Sequence, residues 1–216
     1  ILGDVEMIVE VWNLFIERPV FFGELILQHL RITAVAILIA IVLGLFIGIF
    51  ISEYKKMAPY VLGIINVVYT IPSIAFLGFL IPVTGIGDTT AIVALSVYAL
   101  LPMVRNTYTG INHIDCAIVE AATGMGSTPF QILMNIKLPL AIPVIIAGMR
   151  NMVVMTISLA GIASFIGAGG IGVAIYRGIT TYNMPMTVAG GVLIAAIALI
   201  ADNLLGICEK LLKKRR

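Results

Sequence analysis

The chain has 216 residues, of which 61% are hydrophobic and 11% charged, with a net charge of +2 and a mean hydropathy of +1.13. A soluble domain of this length exposes far more charge, so the composition excludes one and makes lipid the solvent. It also excludes a transmembrane β-barrel, whose strands alternate polar and apolar residues, and the net charge is too small to single out nucleic acid as a partner.

In chain order, Val5, Ile8, Val9, Trp12, Phe15 and Ile16 recur at helical spacing, with Asp4, Glu6, Glu10 and Asn13 between them. Residues 1–29 therefore read as an amphipathic segment, for which two placements fit equally. It lies in the outer interface with Trp12 and Phe15 at headgroup depth, or it packs as a short helix on a bundle. Its acidic residues argue against a cleavable signal, whose first region is basic. Beyond it, residues 32–52, 57–87, 89–104, 151–176 and 178–201 contain no Asp, Glu, Lys or Arg. A helix needs roughly 20 apolar residues to cross a bilayer. Four runs satisfy this, and the fifth borrows flanking residues such as Arg105, whose side chain can snorkel.

The expectation is an all-α integral membrane protein with five spans at about 30–52, 60–82, 88–106, 139–161 and 184–206. The basic tail 207–216 carries Lys210, Lys213, Lys214, Arg215 and Arg216, which the positive-inside rule assigns to the cytoplasm. Counting back through five spans places Lys55, Lys56, Arg105 and Lys137 inside too. Nine basic residues then lie inside against Arg18, Arg31 and Arg177 outside, giving an outer N-terminus and a cytoplasmic C-terminus. Residues 30–206 form the transmembrane domain, and residues 107–138 become a cytoplasmic loop within it.

That loop is too polar to cross and too ordered to be slack. Ile118, Val119, Ala121 and Ala122 suit a short helix that Gly124 and Gly126 would end. Thr128-Pro129-Phe130-Gln131 then supplies a capping box with proline at the first helical position. The second helix runs on through Lys137 into Leu138-Pro139 and the fourth span. Two short helices at an angle make a rigid knob on which another protein docks. Small Ala121 and Ala122 permit close approach, Gly126 redirects the chain, and Pro139 fixes the angle at which the fourth span leaves the knob.

Glu120-Ala121-Ala122, three residues, Gly126, nine residues, Ile136, one residue and Leu138-Pro139 resemble the complete EAA motif of ABC importer permeases. A bare EAA tripeptide would mean little; the full spacing on the cytoplasmic side of a five-span chain is specific. The stretches YTIPSIAFLGFLIPVTGIG (69–87), LPMVRNTYTG (101–110) and FIGAGGIG (165–172) are similar to permeases of osmoprotectant importers. The resemblance implies a type I, methionine-importer-like permease core whose knob is the coupling helix for an ATPase subunit. Glu120, Ala121, Ala122, Gly126, Ile136, Leu138 and Pro139 would be its coupling residues. It further implies a dimer of ATPase subunits that use ATP and Mg, a second permease copy or paralogue, and an extracytoplasmic substrate-binding protein. The cargo would be glycine betaine, carnitine or choline.

Other motifs carry less. Gly167, Gly169 and Gly172 match GxGxxG, but that fingerprint needs a preceding strand in a βαβ unit. Gly167, Gly169, Gly170 and Gly172 instead suit a broken or re-entrant segment, read either as part of an outer gate or as plain packing. No G-x-x-x-x-G-K-[ST] occurs, so ATP phosphates have no cradle here and this chain binds no cofactor of its own. His29 and His113 fall on opposite sides of the membrane and form no catalytic pair. Cys116 and Cys208 have no metal-ligand spacing and read as two reduced thiols. Arg150 lies about eleven residues, roughly 16 Å, into the fourth span. There it either lines a translocation path with Asn151 and Asn66, or holds a structural pair; the pair is preferred. A stand-alone secondary transporter or channel is the rival reading, but it needs intramembrane carboxylates, and Asp202 alone offers one.

Overall fold

The computed structural model describes residues 2–214, with side-chain surroundings for 6–211, so the charged groups of Lys213, Lys214, Arg215 and Arg216 and the predicted role of Asp4 lie outside what is described. Among the described residues the secondary structure is entirely helical. Helix α1 (Leu2–Glu17) is followed after one residue by α2 (Pro19–Glu53), with Pro19 in the first helical turn, where a missing N–H costs nothing. Of the two placements open to the N-terminal segment, packing on the bundle is observed. α1 lies against α10 (Met184–Lys214), burying Val11, while Trp12 stays 65% exposed. The helix that carries the first predicted span thus begins at Pro19, eleven residues before the predicted start at 30.

The second predicted span, 60–82, is not one helix. α3 (Ala58–Thr70) and α4 (Ser73–Thr84) meet at a bend of 99°. Pro72 has no N–H to continue the ladder and forces its predecessor out of the helical region; Ile71 is extended, with φ −67° and ψ 129°. α5 (Asp88–Asn112) runs six residues past the predicted end at 106, with Pro102 inside it. After the short α6 (Cys116–Gly124) and α7 (Pro129–Ile132), α8 (Leu138–Ala160) returns the chain to the bundle against α5, and α9 (Gly172–Thr180) lies along the start of α10. Among the described residues, four helical stretches are long and apolar enough to cross a membrane, and the bent α3–α4 pair makes a fifth if it is one span.

The core lies where α2, α5 and α8 cross. On α2 the small residues Ala36, Ala40, Gly44 and Gly48 recur every fourth position and are all buried. A methyl group at Gly44 would come 2.5 Å from Met103 Cγ, and one at Gly48 2.5 Å from Thr107 Cβ. In lipid, where apolar burial gives little drive, such close backbone approach is what holds helices together. Met103 and Met152 fill the space on the other side, both fully buried.

Candidate functional site

Asp115 opens the α5–α8 loop by capping α6, its carboxylate accepting from the Ala117 N–H at 2.9 Å. α6 exposes Glu120 and Ala121 but, against the expectation of a small residue facing a partner, buries Ala122 on the chain's own side, then stops: the Ser127 N–H donates to the Ala122 carbonyl at 3.1 Å and the Gly126 N–H to Thr123 at 2.9 Å. Gly126 sits at φ 86°, the left-handed position that this paired stop requires. The predicted capping box is present. The Gln131 N–H donates to Thr128 Oγ1 at 3.3 Å, and the Thr128 N–H to Gln131 Oε1 at 2.8 Å.

From Pro129 the chain stays helical into α8. It passes through a π-helical turn, Leu133–Lys137, in which the Leu138 N–H reaches back to the Leu133 carbonyl. This widened turn contains Ile136 and stands just before Leu138 and Pro139, so a displacement of the loop passes directly to α8. Lys137 Nζ donates to Glu53 Oε1 at 2.7 Å, tying the same stem to the end of α2. Sequence reasoning missed that second lever, because the partners are 84 residues apart. Little inside the chain covers the tip: Met125 is 87% and Phe130 71% exposed. Glu120 lines a cleft of about 210 Å³ with Lys55, Asn112, Cys116 and Lys137, and no described residue pairs with its carboxylate. The surface offers apolar knobs around an unpaired acid, which suits a protein partner carrying a basic group.

The glycine-rich segment is built differently. α8 ends at Ala160 in a tight 3-10 helix, Gly161–Ile166, and Gly167 and Gly170 then turn the chain at φ 73° and 100°. The Gly169 N–H donates to Asp88 Oδ1 at 3.0 Å, and the Gly170 N–H to Gln28 Oε1 at 3.1 Å. A methyl at Gly170 would lie 3.1 Å from the His29 ring, and one at Gly172 would overlap the Gly161 carbonyl. His29 itself is buried, its Nε2 3.0 Å from the Ile157 carbonyl, whereas His113 is exposed on α5's far end. Gln28 and Asp88 went unnoticed as anchors. Asp88 did leave a signal, as the single charge between two long uncharged runs.

Arg150 is not grouped with Asn66. Its guanidinium donates through Nε and Nη2 to both oxygens of Asp202 on α10, the Nη2–Oδ2 distance being 2.6 Å, and Nη1 lies 3.6 Å from Glu209. This is the arrangement that the structural-pair alternative expects. Asn66 accepts from Arg105 Nη2 at 3.1 Å, and Asn151 stands exposed on α8. Both cysteines are free and exposed. Among the described residues no group of three or more His, Cys, Asp or Glu could hold a metal ion.

Residues 21–214 match the model of the family described as binding-protein-dependent transport system inner membrane component. The choline transport system permease protein OpuBB of Bacillus subtilis (strain 168) is 38% identical over 183 residues, 85% of this chain and 84% of that one. The glycine betaine/carnitine/choline transport system permease protein OpuCB of the same organism is 39% identical over 183 residues, again 85% and 84%. Among solved structures, an inward-facing MetNI methionine ABC transporter superposes with a TM-score of 0.82 at 24% identity, covering 90% of this chain and 98% of that one. That likeness is one of fold.

Proposed function

The chain belongs to the binding-protein-dependent transport system inner membrane components, and from that membership we propose that it is the permease subunit of an ATP-driven importer for quaternary ammonium osmoprotectants such as glycine betaine, carnitine or choline. The observation that carries the cargo is identity of 38% and 39% to permeases of such compounds across 85% of the chain, spanning both glycine-bearing regions. The protein lies in the cell membrane with its N-terminus outside and its C-terminus in the cytoplasm. Residues 1–29 are its outer segment, 30–206 its transmembrane domain and 207–216 its basic tail.

ATP and Mg are used by a separate pair of ATPase subunits. These grip the α5–α8 loop through Glu120, Ala121 and Gly126, with Ala122 packed behind them, and Ile136, Leu138 and Pro139 transmit their motion. When the ATPase pair closes, the loop pushes along the helix from Pro129 into α8, and the Lys137–Glu53 pair carries the same push to α2. A second permease copy or close paralogue completes the path, and an extracytoplasmic binding protein delivers cargo to the side where Gly167, Gly169, Gly170 and Gly172 lie. The rival, a stand-alone ion-coupled transporter, is disfavoured because Asp202 is held through both oxygens by Arg150.

Purification in mild detergent tests the class: an ATPase and a binding protein should come down with this chain, and vesicles containing all three should take up choline or glycine betaine only with ATP. Uptake without an ATPase would return the stand-alone rival. A membrane-impermeant thiol reagent on intact cells should label Thr181→Cys and leave Cys116 untouched; the reverse pattern would invert the topology.

A further inference from the structure

We infer that the rings of Tyr69 and Phe76, held against the buried Tyr98 where the second span breaks, form a station inside the permease for the trimethylammonium group of the cargo. The inference rests on the cargo reading above and adds a binding site to it.

The three rings meet at one point. Tyr98 stands edge-to-face with Tyr69, centroids 5.8 Å apart at 65°, and with Phe76, 5.5 Å apart at 84°. Their orientation is fixed by the helix break: the Tyr98 hydroxyl donates to the Ile71 carbonyl, and the Tyr69 hydroxyl meets Met155 Sδ at 3.1 Å. Tyr98 lies ten residues into α5, roughly 15 Å from its start and about half the depth of a bilayer's apolar core.

The cluster also lies on the side of the protomer that is packed least. α3 and α4 bury only Ala58 and Leu77, and Tyr69 is 39% exposed. On α8, Asn151 is exposed within the span one turn before Met155, whereas the exposed Ser158 donates its hydroxyl to the Val154 carbonyl at 3.0 Å. Exposed polar side chains at this depth face protein or water rather than lipid. In the inferred station this side is the wall of the path, with the rings about half-way along it.

A trimethylammonium group has no N–H to donate and spreads its charge over methyl surfaces. Aromatic faces hold such a cation through the ring quadrupole, within about 6 Å of a centroid. The last carbonyls of α3, which ends at Thr70 beside Tyr69, add partial negative charge at the same place. Neither feature is a full carboxylate, so the grip is weak enough to release the cargo at each turnover. The shared chemistry of choline, carnitine and glycine betaine is this one group, which explains how one permease site could serve all three.

The test uses the complete importer, with ATPase and binding protein, in vesicles supplied with radiolabelled choline or glycine betaine. Phe76→Leu and Tyr69→Leu should each slow uptake at saturating cargo by about 3- to 30-fold, whereas Phe76→Tyr and Tyr69→Phe, which keep a ring, should stay within about twofold of the unmodified rate. If a leucine variant fails to assemble, Phe76→Met keeps the volume without a ring and is read in its place. Ringless variants at the unmodified rate would overturn the station and leave the cargo reading standing. So would ring-keeping variants that fall as far as the leucines, since packing rather than the ring face would then matter. An unmodified importer that carries no quaternary amine would overturn the cargo reading, and the station with it.

Discussion

The α5–α8 loop and the α8–α9 turn are both punctuated by glycine, and they use it in opposite ways. In the first, a side chain added at Gly124 or Gly126 would meet nothing within 4 Å. In the second, a methyl at Gly169 would run into Gln28, one at Gly170 into His29 and one at Gly172 into Gly161. Gly126 is needed for its backbone angle alone, with open space around it. In the turn, other parts of the same chain occupy the side-chain volume of Gly169, Gly170 and Gly172, and Gly167 and Gly170 carry a positive φ besides. One region is left open for the partner proposed above; the other is closed by α2, by Asp88 of α5 and by the 3-10 segment that begins at Gly161. Damage to the first should therefore appear as lost function, and damage to the second as lost fold.

The sharpest break of that contrast is Gly172→Ala. Its new carbon would lie 2.1 Å from the Gly161 carbonyl oxygen, and backbone cannot swing aside as a flexible side chain can. The expected cost is about 3 kcal/mol or more, read as loss of monodisperse protein after solubilisation. A variant that purifies and melts like the parent would mean that the turn is looser than its contacts imply.

Gly126→Val comes next. The spans are untouched, so the protein should accumulate in the membrane at parental levels, bearing local strain of about 1–3 kcal/mol at φ 86°. Uptake and cargo-stimulated ATP hydrolysis should both collapse, by roughly tenfold or more if misplacing the loop costs about 1.4 kcal/mol of coupling. Gly126→Asn, which tolerates the left-handed region, should recover most of both. Parental transport by the valine variant would separate this loop from coupling.

Gln28→Ala removes the acceptor for the Gly170 N–H and should cost about 1–3 kcal/mol, lowering the melting temperature without a selective effect on ATPase binding. A fall in ATPase affinity at unchanged melting temperature would contradict the division between the two regions. The smallest effect belongs to Thr128→Ala, which deletes the cap of α7 at a cost of about 1 kcal/mol. Being confined to the α5–α8 loop, it should weaken co-purification of the ATPase more than it lowers the melting temperature.

The features legible in the sequence are those decided within one helical turn or by the thickness of a bilayer. Uncharged runs marked the spans, Thr128 and Gln131 announced their capping box, and the turn at Gly126 followed from glycine itself. Pro72 lay in plain view, but a proline inside an apolar run permits anything from a slight kink to a full break. The 99° bend belongs to the tertiary structure, in which Tyr98 holds the Ile71 carbonyl across 27 residues. The same is true of Arg150 with Asp202, 52 residues apart, and of Gly170 with Gln28, 142 apart. The stripe Ala36, Ala40, Gly44, Gly48 was present as a spacing, yet only the fold reveals that Met103 and Thr107 fill it. Hydropathy and capping are local free energies that a short window of residues contains in full. Which helix faces which is decided by close packing in lipid, where every apolar surface is equally content until a particular neighbour fits it.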